Sequence, residues 1–541
     1  MKNEKPMRGS STAPDHIMLT INGDAKTTMT VTWRTCLDVS VGYCLYKEIG
    51  SENWLRCDAE NHIFESDIDV SRIFSAHLPA LKPGTKYVYT CGSDENRSKE
   101  FTFETEHENC TRFSFLLISD QQVCEPFDVP DYSGFNRFLK DVLKKHPDVR
   151  FIYTGGDNTD CGQHEQQWNG MFSGCVDVIE SIPYMMTMGN HDNRGFQKYT
   201  QEACEGRFYA EPATFFNTQF SGAYACNGPA GWTPENYTFD YGNCHFTVYG
   251  VNEPVLVNEW SAKDLKNCDK TWKIASYHFP ICYSIPEGGN DDAYPMMREC
   301  MEMNDIVFSG HEHNFARSFP RRNEQLFDRP SEGTVHYTLG NANGKPPGSR
   351  SLWKVWHCAF NPQEEYRYCY AIAEVDGNKL TVTSYFDDGR IVDCFSIDKD
   401  KDEILPHAIA PIYSRPRLIF KGCDIGLAAC QTPPELKDGV WYIPAAVLAS
   451  YIGADVHRDC SYLEISMYGQ SVAFRNDAKV ISVNNKLVNL HGTVYRGSRD
   501  QLYIPIEDFC NAFKMKWCYA ERNNFISVEI ESEAKHVPLQ P

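Results

Sequence analysis

Three segments between residues 115 and 157 restrict the fold more than any other part of the chain. Residues 115–118 are an unbroken apolar run that stops at Ser119-Asp120. Phe135, Phe138, Leu139, Val142 and Leu143 then recur at i, i+3, i+4, i+7 and i+8, and residues 151–154 form a second apolar run that stops at Gly155-Gly156-Asp157. The outer runs read as buried strands and the middle pattern as an amphipathic helix, so the spacing predicts a βαβ unit. Open α/β sheets gather their chemistry at the carboxyl ends of strands, and both runs end there on an aspartate.

The same style continues to about residue 397, closing with expected strands at 370–375 and 380–385. Before it, residues 15–106 alternate in short runs such as MTVTW (29–33), YVYT (87–90) and FTFET (101–105), divided by the turn clusters Asn22-Gly23-Asp24 and Lys82-Pro83-Gly84. That pattern predicts a β-sandwich of about 90 residues. After it, KDKDE at 399–403 reads as a charged linker. Beyond lies a repeat: WYIP at 441–444 with a helix-like run to Gly453, and, 61 residues later, LYIP at 502–505 with a similar run to Lys514. Each copy ends in a β-rich stretch, 462–467 and 525–530, which predicts a small α+β module built by duplication. A chain of 541 residues has room for about three domains. The expected division is 12–107, 108–400 and 410–535.

Charge narrows the partners. With 52 basic against 73 acidic residues the net charge is −21, which excludes the Lys/Arg stripe of a nucleic-acid scaffold and requires any phosphate-bearing ligand to be held locally. No apolar run approaches the roughly 18 residues of a membrane span, and residues 1–15 lack the apolar segment of a signal peptide. The expectation is a cytoplasmic chain, with a secreted or cell-surface protein as the alternative if a signal was removed. The 22 cysteines are scattered singly from Cys36 to Cys518 without CxxC pairs. They are expected to be reduced, buried small hydrophobes, with a few disulfides as the alternative.

Five segments of the middle region carry the chemistry: Ser119-Asp120-Gln121-Gln122, Gly156-Asp157-Asn158-Thr159-Asp160, Gly189-Asn190-His191-Asp192, Tyr277-His278-Phe279-Pro280 and Gly310-His311-Glu312-His313. Asp, Asn and His without thiolates form a donor set for two moderately hard metal ions. Such a centre needs one carboxylate that bridges both ions, and Asp157, central in the series, is the natural bridge. His191, next to Asn190, is expected to donate a proton to the leaving group, with Asp192 tuning or orienting it.

The order D…GD…GNHD…H…GHxH resembles the calcineurin-like metallophosphoesterases. The preceding β-sandwich, together with FSGHEHNFAR at 308–317, resembles their purple acid phosphatase branch. Within the sandwich, LKPGTKYVY at 81–89 resembles fibronectin type III folds. The resemblance implies an α/β/β/α catalytic sandwich behind a fibronectin III-like domain. It implies that Asp120, Asp157 and His313 bind the first metal, that Asp157, Asn190, His278 and His311 bind the second, and that His191 is the general acid. Two departures follow. Purple acid phosphatases place an iron-binding Tyr three residues after the bridging Asp, and here Asp160 stands there. Most other members place a His two residues after the first Asp, and here Gln122 stands there. No Fe(III)-tyrosinate colour is expected, and Gln122, ahead of Asp160, is the expected replacement ligand for Fe, Mn, Zn or Mg.

The terminal repeat resembles the amino-terminal module of copper amine oxidases, with His457 and His491 as lone histidines and no copper set. A structural or attachment role, including self-association, is expected there. His164 and Arg317 are candidate phosphate contacts beside Asn190 and His191. The insertion at 206–243, with Trp232, Tyr237 and Tyr241, is expected to shape substrate access, and Met185, Met186 and Met188 to be core packing. The expected activity is hydrolysis of a small phosphate ester, foremost a monoester, by a metal-bound hydroxide. The alternatives are a diesterase acting on nucleotides or other small diesters, and a non-catalytic phosphate- or protein-binding module with an impaired first metal site.

Overall fold

The structure, a computed structural model, describes residues 9–125, 129–194, 212–284, 293–344, 357–360, 367–407, 415–420, 423–425, 432–459, 462–467, 469–521 and 524–530. Parts of the stretches 206–243 and 282–300 therefore lie outside the described residues.

Two four-stranded antiparallel sheets pack face to face at the start of the chain. One has the spatial order Asp15–Thr20, Met29–Cys36, Val70–Leu78, Glu60–Glu65, and the other Leu55–Asp58, Tyr43–Glu48, Lys86–Gly92, Phe101–Glu104. The period-two pattern seen in the sequence aims Met29, Val31 and Trp33 into their shared core, where Trp33 stacks on Phe74 at 5.2 Å and Tyr87 on Phe103 at 5.4 Å.

The central domain is built on two seven-stranded sheets. The first runs Tyr184–Met185, Val149–Thr154, Arg112–Ile118, Cys369–Asp376, Lys379–Phe386, Ile391–Asp398, Glu403–Leu405, its first three strands being parallel. The second runs Tyr237–Tyr241, Cys244–Tyr249, Trp272–Tyr277, Ile306–Ser309, Val335–Thr338, Ala316–Ser318, Cys358–Phe360, with four parallel strands at its centre. The sheets meet through phenylalanines: Phe115 and Phe151 lie edge-on to Phe246, each at 5.3 Å. On the other face of the first sheet sits helix Ser133–Lys145, which buries Phe135, Leu139 and Val142, so the 3.6-residue period read from the sequence is the period of packing. Helix Pro254–Asn267 lies against the second sheet, where Ser261 meets the Tyr249 hydroxyl at 2.8 Å.

Two expectations change here. Residues 399–403 turn back instead of linking domains, and Glu403–Leu405 joins the first sheet with Asp398 opposite Glu403. Lys399 secures that turn through Asp305, 2.7 Å away, so the charge run serves a local ion pair. Trp232, Tyr237 and Tyr241 are buried; Tyr237 stacks on Tyr224 at 4.6 Å and donates its hydroxyl to the Met186 carbonyl, so these rings fill the core instead of an access path. Met185, Met186 and Met188 are core residues.

In the third domain the repeated strands Val440–Pro444 and Leu502–Pro505 pair antiparallel, with Tyr442 opposite Pro505, Ile443 opposite Ile504 and Pro444 opposite Tyr503. The register is symmetric about a local two-fold centred on Ile443 and Ile504, with the Tyr of each copy facing the Pro of the other. Helices Ala445–Tyr451 and Ile506–Phe513 follow, each leading into a hairpin. None of the eighteen cysteines whose side chains are described is disulfide-bonded, and eight of them are buried.

The first two domains are joined by buried charge. Arg34, 1% exposed, pairs with Asp15 at 2.7 Å and with Glu165 at the start of helix Glu165–Cys175; Glu165 also accepts from Ser66 Oγ and, at its amide, donates to Asp67 at 2.8 Å. Arg34→Ala removes the guanidinium from a buried carboxylate and is expected to cost about 3–5 kcal/mol in urea denaturation. Removing the exposed Lys401 from its pairs with Asp398 and Glu403 should change stability by less than about 1 kcal/mol.

His245 adds a pH-dependent contribution. Burial opposes its charge, but Asp240 at 2.7 Å and Asp264 at 2.8 Å prevail and raise its pKa to about 9. Because the folded value exceeds the ordinary 6.5, this contribution is complete below pH 6.5 and disappears as pH rises through 9. His245→Gln should therefore flatten the stability profile, measured by denaturation at pH 6 to 10, within that window.

Candidate metal centre

Every one of the five segments begins where a parallel strand ends. Asp120 follows Arg112–Ile118, Asp157 follows Val149–Thr154, Asn190 follows Tyr184–Met185 by a short loop, His278 follows Trp272–Tyr277, and His311 and His313 follow Ile306–Ser309. Two sheets packed face to face bring these ends to one edge, so ligands far apart in the chain converge. The convergence is tight enough to require glycine. A Cβ on Gly189 would stand 2.1 Å from Asp157 Oδ1, and one on Gly310 would stand 2.0 Å from Ser119 Oγ.

Four of the converging residues hold a left-handed backbone: Asp120 (φ 53°), Asp157 (φ 53°), His311 (φ 72°) and His313 (φ 58°). That conformation costs of order 1–3 kcal/mol per non-glycine residue and persists where surrounding contacts impose it. Asp157 shows those contacts. Its Oδ1 accepts the His191 amide at 2.9 Å and lies 3.2 Å from His278 Nε2, while Oδ2 accepts Gln122 Nε2 at 3.0 Å. Asp120 takes the His311 amide at 2.9 Å and Ser119 Oγ at 2.7 Å, and His313 Nε2 stands 3.4 Å from its Oδ1.

The second set is compact. Ligand atoms of Asp157, His278 and His311 all lie within 4.8 Å of one another, and Asn190 Oδ1 is 3.0 Å from His278 Nε2. His278 Nδ1 is held by the Gly155 carbonyl at 2.8 Å, which aims Nε2 at the cluster. Burial opposes charge on His278, yet Asp157 and then Asp120 raise its pKa to about 9; burial and the neighbouring His278 depress His311 to about 3.

The residues fit a pair of metal ions. Asp120 and Asp157 are almost fully buried carboxylates surrounded by imidazoles, and Gln122, also buried, has its Oε1 without a hydrogen-bond partner among the described residues. A buried amide oxygen left without a donor matches a cation beside it.

His191 sits at the rim. Its Nδ1 faces two acceptors, the Asp160 carbonyl at 2.9 Å and the Asp160 carboxylate at 3.0 Å, so the hydrogen resides there and Nε2 turns toward Asp157 Oδ2, 3.7 Å away. Arg194 clamps Asp160 in turn, Nε on its carbonyl at 2.8 Å and a terminal nitrogen on its carboxylate at 3.1 Å. Asp160 therefore partners the histidine, a different place from the one expected for a substitute metal ligand. The sequence reading missed Arg194; its signal is a basic residue three positions after His191 on the short helix Asn190–Asn193 and its cap.

Three further expectations are corrected. Asp192 does not orient His191. Its carboxylate accepts from the amides of Asn158, Thr159 and Gly189 and the side chains of Asn158 and Thr159, tying the Asp157 loop to the Asn190 loop, and burial followed by Asp157 raises its pKa to about 6. Arg317 is no phosphate clamp, because it is buried with its fork on Asp393 at 2.8 and 3.3 Å and its plane 4.4 Å from Phe395. His164 gives Nδ1 to Asp67 of the first domain at 2.9 Å and so joins domains.

Residues 14–105 match the N-terminal domain of purple acid phosphatases and residues 113–315 match the calcineurin-like phosphoesterases. Among curated relatives, Probable inactive purple acid phosphatase 1 of Arabidopsis thaliana is 23% identical over 63% of this chain and 60% of its own. Acid phosphatase type 7 of Mus musculus is 23% identical over 70% of this chain and 90% of its own. The chain spans about three-fifths of the length of the Arabidopsis relatives it matches. The purple acid phosphatase from yellow lupin (Lupinus luteus) seeds shares the fold with a TM-score of 0.57 at 18% identity, over 72% of this chain and 75% of its own. Residues 14–105 and 113–315 thus carry, in tandem and ahead of a third domain, the N-terminal domain of purple acid phosphatases and a calcineurin-like phosphoesterase domain.

Proposed function

We propose that the protein is a metal-dependent phosphoric ester hydrolase that acts on small phosphate monoesters. The observation that carries the reading is the layering of the site: buried carboxylates lie beneath a partly accessible rim of nitrogen donors. Asp120, Asp157, Asn190 and His278 are buried, whereas His191, His311, His313 and Arg194 remain partly exposed. In a chain of net charge −21 these buried carboxylates would have to be neutralised by bound cations before the site could take a compact anion, with the His191 ring and the Arg194 guanidinium at its rim. A terminal dianionic phosphate gains more from this cluster than a diester monoanion does.

Asp120, Asp157 and His313 would hold the first ion, with Gln122 Oε1 completing it, and Asp157, Asn190, His278 and His311 the second. Divalent ions bound by these residues would supply Lewis acidity toward a phosphate ester and activate water for attack. The protein's own part is positioning and proton movement. Asp160 holds the hydrogen on His191 Nδ1, so Nε2 is the nitrogen that would carry the proton for the departing alkoxide, and Arg194 fixes Asp160. A second reading, a binder without catalysis, draws on the name of the Arabidopsis relative and on the missing Tyr and His at the first metal. The His191–Asp160–Arg194 arrangement favours hydrolysis, since a binder has no use for an oriented proton donor.

His191→Ala should lower kcat on an aryl phosphate by about 10²–10⁴ with two ions still bound, and Asp160→Asn should lower it by a smaller factor with KM nearly unchanged. Steady-state kinetics beside metal analysis checks both, and loss of neither rate nor specificity in His191→Ala refutes the reading.

Chelation should abolish activity, and reconstitution should restore close to two ions per chain. Iron-loaded protein should show no visible phenolate-to-iron band, because Asp160 occupies the tyrosine position. Gln122→His, which replaces an amide oxygen with imidazole, should raise zinc affinity at the first position by calorimetry.

A further inference from the structure

The third domain covers part of the catalytic domain beside the metal centre. Ile419, Ala520 and Phe525 close an apolar cluster with Tyr283, Phe319 and Leu326 of the catalytic domain. Glu529, on the same strand as Phe525, pairs with Arg298 at 2.6 Å and lies beside Glu324, whose partner is Arg321. Arg321 and Glu324 are both almost fully buried, so this ion pair depends on its cover.

What lies beneath the cover is the segment that follows ligand His278. Arg321 Nη1 donates to the Ile281 carbonyl at 3.1 Å, and the His357 ring meets the Tyr283 carbonyl through Nε2 at 2.8 Å. The Tyr283 ring, already in the apolar seam, stands edge-on to His357 at 4.6 Å. The next residue, Ser284, donates its amide to Glu312 Oε2 at 2.5 Å, and Glu312 is the residue between His311 and His313. At the other end of the segment, the Phe279 ring packs edge-on against the His311 ring at 4.9 Å. Residues 279–284 therefore touch the third domain on one side and the His311–His313 loop on the other.

We propose that the third domain is a brace for the metal centre. Docked, it holds residues 279–284 against Arg321 and His357, and through the Ser284–Glu312 hydrogen bond it fixes the backbone that presents His311 and His313. This assigns its docked face an inward task in place of the attachment or self-association expected from the sequence. The inference rests on His278, His311 and His313 as metal ligands and does not depend on hydrolysis.

Hydrogen exchange on the full-length chain tests it. Phe525→Asp disrupts the seam from the third domain, Arg298→Ala loosens it from the catalytic side, and Phe525→Leu is the conservative control. The expected result is exchange about tenfold faster at residues 281–284 and 310–313 in Phe525→Asp, a smaller change of the same pattern in Arg298→Ala, and near-original protection in Phe525→Leu. Strands Cys369–Asp376 and Lys379–Phe386 should keep their protection, and manganese affinity by calorimetry should weaken in step with the exchange. If residues 525–530 open in Phe525→Asp while 281–284 and 310–313 stay protected and manganese affinity is unchanged, the brace is wrong. Neither readout needs turnover, so an inactive enzyme would overturn the hydrolase reading alone.

Discussion

The carboxylate of Asp157 is the point on which the central domain converges. It is almost completely buried, and the Gln122 side chain, the His191 amide and the His278 ring reach it from three separate loops. A buried carboxylate is costly unless it is compensated, so each of those loops is bound to its place by the same charge. The left-handed backbone at Asp120, Asp157, His311 and His313 is the conformational cost of that convergence. Gly189 and Gly310 supply the close approach that any side chain would prevent.

Around this point the protein uses a hierarchy of supporting contacts. Asp192 knits the Asp157 and Asn190 loops with five donors, the Arg34 pairs join the first domain to the helix following the Asp157 loop, and the third domain covers the segment after His278. The first two are built from buried polar groups with named partners, the condition under which such groups specify a unique arrangement, and the third from an apolar seam. The division of labour among the aspartates follows from geometry. Asp120 and Asp157 face the ligand cluster, Asp192 faces backbone amides, and Asp160 faces a histidine and an arginine.

Much of the fold was legible in the sequence, for particular reasons. The helix at Phe135–Leu143 and the strands around it announce themselves because one face of each is buried, and burial imprints a period. The repeated WYIP and LYIP segments were visible as likeness, and their mutual antiparallel pairing follows from a two-fold relation between like elements. The charge run at 399–403 was misread because composition does not reveal partners: Lys399 finds Asp305, from a distant loop, and the chain turns instead of leaving. Trp232, Tyr237 and Tyr241 misled for the same reason, since an aromatic residue in an insertion reads alike whether it lines a cleft or fills a core.

By itself the sequence determined the inventory of the site: aspartates, asparagine and histidines at strand ends, in an order that resembles the calcineurin-like metallophosphoesterases, with Gln122 and Asp160 at the positions that depart from that pattern. The tertiary structure alone decided what each of these residues does. Asp160 and Asp192 are chemically identical and both stand beside ligands in the chain, yet one orients His191 and the other ties loops together. Arg317, four residues after a ligand, turns away to Asp393, while Arg194 turns toward the rim. Residue type and spacing fix charge and reach, but the direction of a side chain and the partner that meets it are set by packing between segments far apart in sequence.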